Sequence, residues 1–465
     1  MSAFISPDAL RAQFAASMSS LFKAEVPLYG ELIALVDATN EPLLGPLSPE
    51  ERGRLSAERH GAIRVGTPTE LRTLSRLFGL LGMTAVGYYD LSVAGHPVHA
   101  TAFRSVSEDS LIKNPFRVFC SLLRLDLIPD EEIRKQAMDT LSKRSIFTPR
   151  TLAFLDSAER DGGIEEQDAH EFVREALKTF QWHAMASVSQ QMYEKLLGVS
   201  RLLADICSFP GPHINRNKVR IVRTDQIPPK SIIEGPPPRL CPILLRQTSF
   251  KALEERILFI DDEHRTTLGH HTARFGEVES RGAALTLKGR ELFNRLFEQA
   301  RETEVEVAGG SHIELRDDGE PGRKTPEEES ANAVHQRHLA SFFEEFPDDW
   351  EELRKQELVY FRYELVEAGQ EPEVAEFTMD ELIASGKVLA KPIVYEDFLP
   401  ASAAGIFNSN LKSGESTISE GNPDQTAFEV ALGSKVEDAD RLYRERQSAS
   451  VDQLRRGFPN LKLGK

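Results

Sequence analysis

The chain holds few cysteines, no long apolar run and a shortage of cationic charge. Each of these deficits excludes a class of protein. The three cysteines, Cys120, Cys207 and Cys241, are odd in number, widely spaced and never arranged as C-x-x-C. A disulfide framework and a thiolate zinc site are therefore not expected. Lys and Arg total 56 against 73 Asp and Glu, a net charge of −17. That balance supplies no general basic face for nucleic acid or an anionic membrane. It leaves room for a small dianion, which a few local arginines can hold. No stretch of about 18 apolar residues occurs, so no transmembrane span is expected. The first residues, "MSAFISPDALRAQFAASMSSLF", have no basic segment followed by an apolar one, and a reducing cytoplasm is the expected location. Phosphate-binding G-x-x-x-x-G-K-[ST], dinucleotide-binding G-x-G-x-x-G, the G-x-S-x-G nucleophile elbow and H-E-x-x-H are all missing.

What is present is a globular composition: 465 residues, 40% hydrophobic and 28% charged. Length alone allows about two or three domains. Leu10, Phe14, Met18, Leu21 and Phe22 repeat at helical spacing behind Ser6-Pro7-Asp8, a helix start. "EVPLYGELIALVDATNE" predicts a second helix. In "GTPTELRTLSRLFGLLGM", Thr67 caps, Pro68 sits at the first helical position and Glu70 completes a capping box. "TAVGYYDLS" and "PVHATAFRSV" read as paired strands around Ala94-Gly95-His96. Residues 114–206, beginning with "NPFRVFCSLLRLDLI", read as helical, an insertion. "VRIVRTD", "CPILLRQTSF" and "RFGEVESRGAALT" return to strand character, a charged helix covers 289–306, and "ELVYFRYELV" is a strand. A short helix and strand follow from "TMDELIASGKVLAKPIVY", and the C-terminal stretch is helical. Residues 309–330 are polar and turn-rich, an exposed loop.

Three segments carry candidate metal ligands. In "ERHGAIRVGT", read as a loop between helices, His60 and Arg64 lie four apart, a spacing that shares one face of a helix. His213 follows the Pro-Gly-Pro-type turn of "FPGPHINRN", where the backbone has little freedom. "GHHTARFGEVESRG" holds His270, His271, Glu277 and Glu279. On a strand the two glutamates share a face among Phe275, Val278, Ala283, Ala284 and Leu285. A carboxylate buried there needs a metal, a cation or donors beside it. Two imidazoles and one carboxylate would leave open positions on an octahedral ion, suiting Fe(II), a chelating 2-oxo acid and dioxygen. Read from spacing alone, a surface or core role stays open for each of these histidines, and packing or surface is favoured for His96, His99, His270 and His271.

"VPLYGELIALV", "ERHGAIRVGT", "DQIPPKSIIEGPPPR", "FGEVESRGAALTLKGRELF" and "YEDFLPASAAGIFNSNL" together resemble the 2-oxoadipate dioxygenase/decarboxylase family, also called hydroxyglutarate synthase. The resemblance runs from about residue 5 to about residue 455. It implies a single catalytic unit over 1–465 and an α+β fold, a vicinal-oxygen-chelate-like central β-barrel or curved sheet decorated by helices. It implies an Fe(II) enzyme that takes 2-oxoadipate, from lysine catabolism, and O2 to D-2-hydroxyglutarate and CO2. Its motifs place His60, His213 and Glu279 as metal ligands, with Glu277 two residues from the third. They place Arg64 on a substrate carboxylate and Ser402 in a small-residue loop against substrate, with Ala401 contributing through its backbone. A glyoxalase-like lyase or isomerase that uses no O2 is the alternative. A closed structural zinc site, with His270 or His271 as a fourth ligand, is another.

Overall fold

The computed structural model describes residues 4–25, 60–92, 95–181, 185–209, 221–222, 250–260, 266–275, 279–280, 283–302, 341–347, 349–366, 377–397, 423–457 and 461–462. In chain order the elements begin with α1 (Pro7–Glu25), β1 (His60–Val65), α2 (Pro68–Leu80), β2 (Thr84–Asp90), β3 (Val98–Arg104), α3 (Glu108–Lys113) and β4 (Arg117–Leu123). Helices α4 (Glu131–Ser142), α5 (Pro149–Asp161), α6 (Ala169–Lys178), α7 (Gln190–Leu197) and α8 (Arg201–Ser208) follow. Next come β5 (Ile221–Val222), β6 (Phe250–Ile260), β7 (Thr266–Phe275), β8 (Glu279–Ser280), α9 (Leu287–Glu302) and α10 (Trp350–Lys355). The last are β9 (Phe361–Leu365), β10 (Phe377–Thr378), α11 (Met379–Ala384), β11 (Val388–Pro392), α12 (Gln425–Leu432), α13 (Ala439–Gly457) and β12 (Leu461–Lys462). The chain divides into two compact units. Unit 1 is Met1–Ile221, Gln247–Glu279 and Asp397–Ala439; unit 2 is Val222–Arg246, Ser280–Glu396 and Asp440–Lys465.

Unit 1 is built on a four-stranded sheet of order β1-β4-β3-β2. β1 runs parallel to β4, and β3 is antiparallel to both β4 and β2. Strand alternation sorts its residues onto two faces. Ile63, Val65, Val118, Cys120, Leu122 and Phe103 join a core with residues of α1, α2, α5 and α6. Ala100, Ala102, Phe119 and Leu123 join a second core with Ala137 and Leu141 of α4, Leu196 of α7 and Leu202, Leu203 and Ile206 of α8. The sheet is thus covered on both faces, which is why β4 is buried at every position. β6 and β7 form a separate antiparallel pair.

In unit 2, β9 pairs antiparallel with β11 and β10 pairs parallel with β12. Phe293 and Leu296 of α9 pack with Leu353, Leu358, Val359 and Phe361. The Tyr360 hydroxyl donates to Asp440 Oδ1 at 2.8 Å.

Most predicted elements are present, and two are corrected. The His60 stretch is strand β1, not a loop between helices. Arg117–Leu123 is strand β4, not the first helix of a helical 114–206 segment. A continuous apolar run such as "VFCSLL" has no period that separates a buried strand from a buried helix. The described part of unit 1 is mixed helix and sheet, with β1 and β2 at the two ends of an open four-strand order. The predicted helix in "EVPLYGELIALVDATNE" after Glu25, the predicted strand "CPILLRQTSF" before Phe250 and the 309–330 loop lie outside the described residues.

Candidate active site

On β1, Ala62 and Arg64 point away from the core that takes Ile63 and Val65. Arg64 is buried, with 7% of its surface exposed. Burial pushes its guanidinium down to about 10, Asp205 of α8 opposes the shift, and Arg201 adds to it. At neutral pH Arg64 keeps its charge inside a low-dielectric setting, where a carboxylate ligand gains most. Asp205 is itself buried; it accepts a hydrogen bond from the Tyr193 hydroxyl at 3.2 Å and stands 3.8 Å from Arg201 Nε.

Two further arginines occupy the same sheet face. Arg117 of β4 and Arg104 of β3 are cross-strand partners, and His60 is the register partner of Arg117 on the other side. Arg104 and Arg117 are almost wholly buried. Arg104 grips the Asp397 carboxylate with both branches of its fork, Nε at 2.5 Å and Nη2 at 2.8 Å. Arg117 Nη1 donates to the backbone oxygen of Asp397 at 2.5 Å. The pair therefore anchors the chain five residues before Ser402. Two guanidinium groups on one residue, Arg104 on the Asp397 carboxylate and Arg117 on its backbone carbonyl, with Arg64 on the same face, make a local excess of positive charge in a chain of net charge −17.

The end of β1 is clamped as well. Glu70, the third residue of α2, accepts from Gly66 N at 2.7 Å and Thr67 N at 3.2 Å, while Thr67 Oγ1 accepts from Glu70 N. Arg144 then binds both Glu70 oxygens, at 2.7 and 2.8 Å, and donates to the Ile206 carbonyl of α8. This capping box was legible in "GTPTE"; the arginine that completes it was not.

His60 and Arg64 occupy the first and fifth positions of strand β1, about 13 Å apart along it rather than one helical turn apart. Glu279 lies in β8, and His270 and His271 lie in β7. His213, Glu277, Ala401 and Ser402 lie outside the described residues. Among the described residues, no three His, Cys, Asp or Glu side chains gather as a metal-ligand cluster. His96 and His99 are buried, and His99 packs edge-on against Phe428 with ring centroids 4.7 Å apart. Arg104, Arg117 and Ser121 were missed in the sequence. The misread β4 hid the last two, since only strand alternation lines them up with Arg64.

A family profile described as 2-oxoadipate dioxygenase/decarboxylase matches residues 14–410. The 2-oxoadipate dioxygenase/decarboxylase of Pseudomonas putida is 47% identical, over 96% of this chain and 96% of its own. That of Escherichia coli K12 is 46% identical, over 96% of this chain and 98% of its own. The crystal structure of the hydroxyglutarate synthase in complex with 2-oxoadipate from Pseudomonas putida superposes with a TM-score of 0.79 at 43% identity, covering 98% of this chain and 99% of that one.

Proposed function

The chain belongs to the 2-oxoadipate dioxygenase/decarboxylase family, and on that premise we propose how its sheet face carries out the reaction. It is an enzyme that takes 2-oxoadipate and O2 to 2-hydroxyglutarate and CO2. In our reading the product is the D form, the pathway is lysine breakdown, the compartment is the cytoplasm, and unit 1 completes a vicinal-oxygen-chelate-like barrel.

The substrate is a dianion with a 2-oxo acid at one end and a carboxylate at the other. Arg64 holds the distal carboxylate. Its planar fork pairs with both oxygens, and its charge survives burial. His60, His213 and Glu279 would hold Fe(II), a donor set whose mix of imidazole and carboxylate suits that ion. Fe(II) bound there would supply oxygen activation and Lewis-acid polarisation of the 2-oxo acid. Ala62, Ala100, Ala102 and Phe119 belong to the apolar core on Arg64's face of the sheet, which keeps water from its guanidinium and strengthens its hold on a carboxylate. Arg104 and Arg117 fix the start of the segment that presents Ala401 and Ser402 to the substrate. Holding the five-carbon intermediate by its far end keeps the carbon to be hydroxylated in reach after CO2 leaves.

The observation that carries this reading is Arg64, a buried cation on the strand that begins with His60. The test is oxygen uptake by Fe(II)-loaded protein given 2-oxoadipate, with chiral analysis of the product. Stoichiometric D-2-hydroxyglutarate and CO2 are expected. Arg64→Lys is expected to lower kcat/KM by roughly tenfold to a hundredfold, since lysine keeps the charge and loses the fork. No uptake with any 2-oxo acid, in protein that holds iron, overturns the reading in favour of a glyoxalase-like lyase.

A further inference from the structure

Ser121 lies on β4 with Arg64 of β1 as its register partner on one side and Ala100 of β3 on the other. Alternation along β4 puts it on the face of Arg117 and Phe119, while Cys120 and Leu122 turn into the opposite core. The residue is fully buried, and its hydroxyl oxygen has no hydrogen-bond partner among the described residues. A buried hydroxyl left unpaired carries a desolvation penalty, and such groups are rare in native proteins. Packing does not call for it, because the neighbouring positions on β3, Ala100 and Ala102, are filled by methyl groups. The hydroxyl therefore sits on the strand next to that of the buried Arg64, at the register position opposite it, with one donor unspent.

We infer that Ser121 is a substrate-binding residue: its hydroxyl donates to the distal carboxylate of the bound 2-oxo diacid, next to the fork of Arg64. This rests on the reading that Arg64 holds that carboxylate. The chemistry is complementary, because a carboxylate offers about four acceptor sites and a bidentate arginine takes two. Strand β4 thereby contributes to selecting a diacid over a monoacid. Donating to the carboxylate offsets the desolvation penalty of the buried hydroxyl.

The experiment is anaerobic calorimetric titration of the Fe(II)-loaded full chain with 2-oxoadipate and with 2-oxohexanoate, which has the same length and no distal carboxylate. Ser121→Ala is expected to weaken 2-oxoadipate binding by about tenfold, the scale of one hydrogen bond to a charged group. It should leave 2-oxohexanoate binding unchanged and the melting temperature of the ligand-free protein unchanged or higher. Ser121→Cys keeps the side-chain shape, with a somewhat larger sulfur in place of oxygen, and exchanges the hydroxyl for a weak S–H donor, so the same selective loss is expected if the alanine variant folds poorly. Unchanged 2-oxoadipate affinity in both variants overturns the inference, as does an equal loss for both ligands. If the wild type prefers the diacid and Arg64→Lys erases that preference while Ser121→Ala does not, Ser121 alone is refuted. A wild type with no preference for the diacid overturns the Arg64 reading together with this one.

Discussion

At the scale of single residues, the pattern is one of charged or polar side chains held under apolar cover. Arg64 is desolvated and stays cationic; His99 is desolvated and stays neutral. Burial is the main cause that pulls His99 from 6.5 down to about 4, and Arg124 adds to it, while Asp126, Asp424 and Asp90 oppose it. Tyr88 and Phe428 enclose the ring, and the Tyr88 hydroxyl lies 3.4 Å from Nδ1. A histidine whose pKa is lower folded than unfolded contributes full stability above pH 6.5. That contribution is lost as pH falls from about 6.5 towards 4, because the unfolded chain takes up the proton first. Urea unfolding at a series of pH values is expected to give a steeper loss of stability over that window in the wild type than in His99→Phe. Equal slopes would refute the assignment. His60 and Arg64 were readable together because five consecutive residues carry both. Arg104, Arg117 and Ser121 come from two strands, and no linear spacing connects them to Arg64.

Among the elements, β1 is an end strand whose position is set by contacts at its C-terminal end. The α2 capping box and Arg144 tie Gly66 and Thr67 to the carbonyl of Ile206 in α8. Glu70 and Arg144 are both nearly buried, with side chains 8% and 4% exposed. Removing one partner of such a pair leaves a buried charge without compensation, at a cost of about 3 kcal/mol or more. Arg144→Met is expected to lower the urea midpoint by a corresponding amount and to raise KM for 2-oxoadipate, since Arg64 stands two residues before Gly66. A variant with wild-type stability would show that the clamp is slack. The helix start at Thr67 was legible because the cap chemistry is local, and the structure caps two further helices in the same way, at Thr148 and Thr378. Strand β4 was not, because its seven residues are all buried and its composition fits either a core helix or a core strand.

For the whole molecule, the chain divides into two units that alternate along the sequence, so neither is a contiguous stretch. His60, Arg64, Ser121 and Asp397 fall in unit 1, although more than 300 positions separate the first from the last. No helix among the described residues is long and apolar enough to cross a membrane. In the proposed enzyme the metal joins ligands from far-apart segments, so its removal acts on stability as well as on catalysis. Chelation is expected to abolish oxygen uptake and to lower the melting temperature. Fe(II) should restore both, and Zn(II) only the second. A melting temperature indifferent to chelation would refute ligation across these segments.

The sequence by itself determined the properties that rest on local patterns. It limited the function classes through its cysteine count and charge, started its helices at capping residues, and placed His60 beside Arg64. The tertiary structure decided which residues surround that arginine. Register between parallel β1 and β4 sets Ser121 opposite Arg64 and Arg117 opposite His60. Pairing of β4 with β3 then adds Arg104, and through it Asp397. Side-chain period along one strand is a sequence property, whereas the register between strands depends on how the two faces of the sheet are buried.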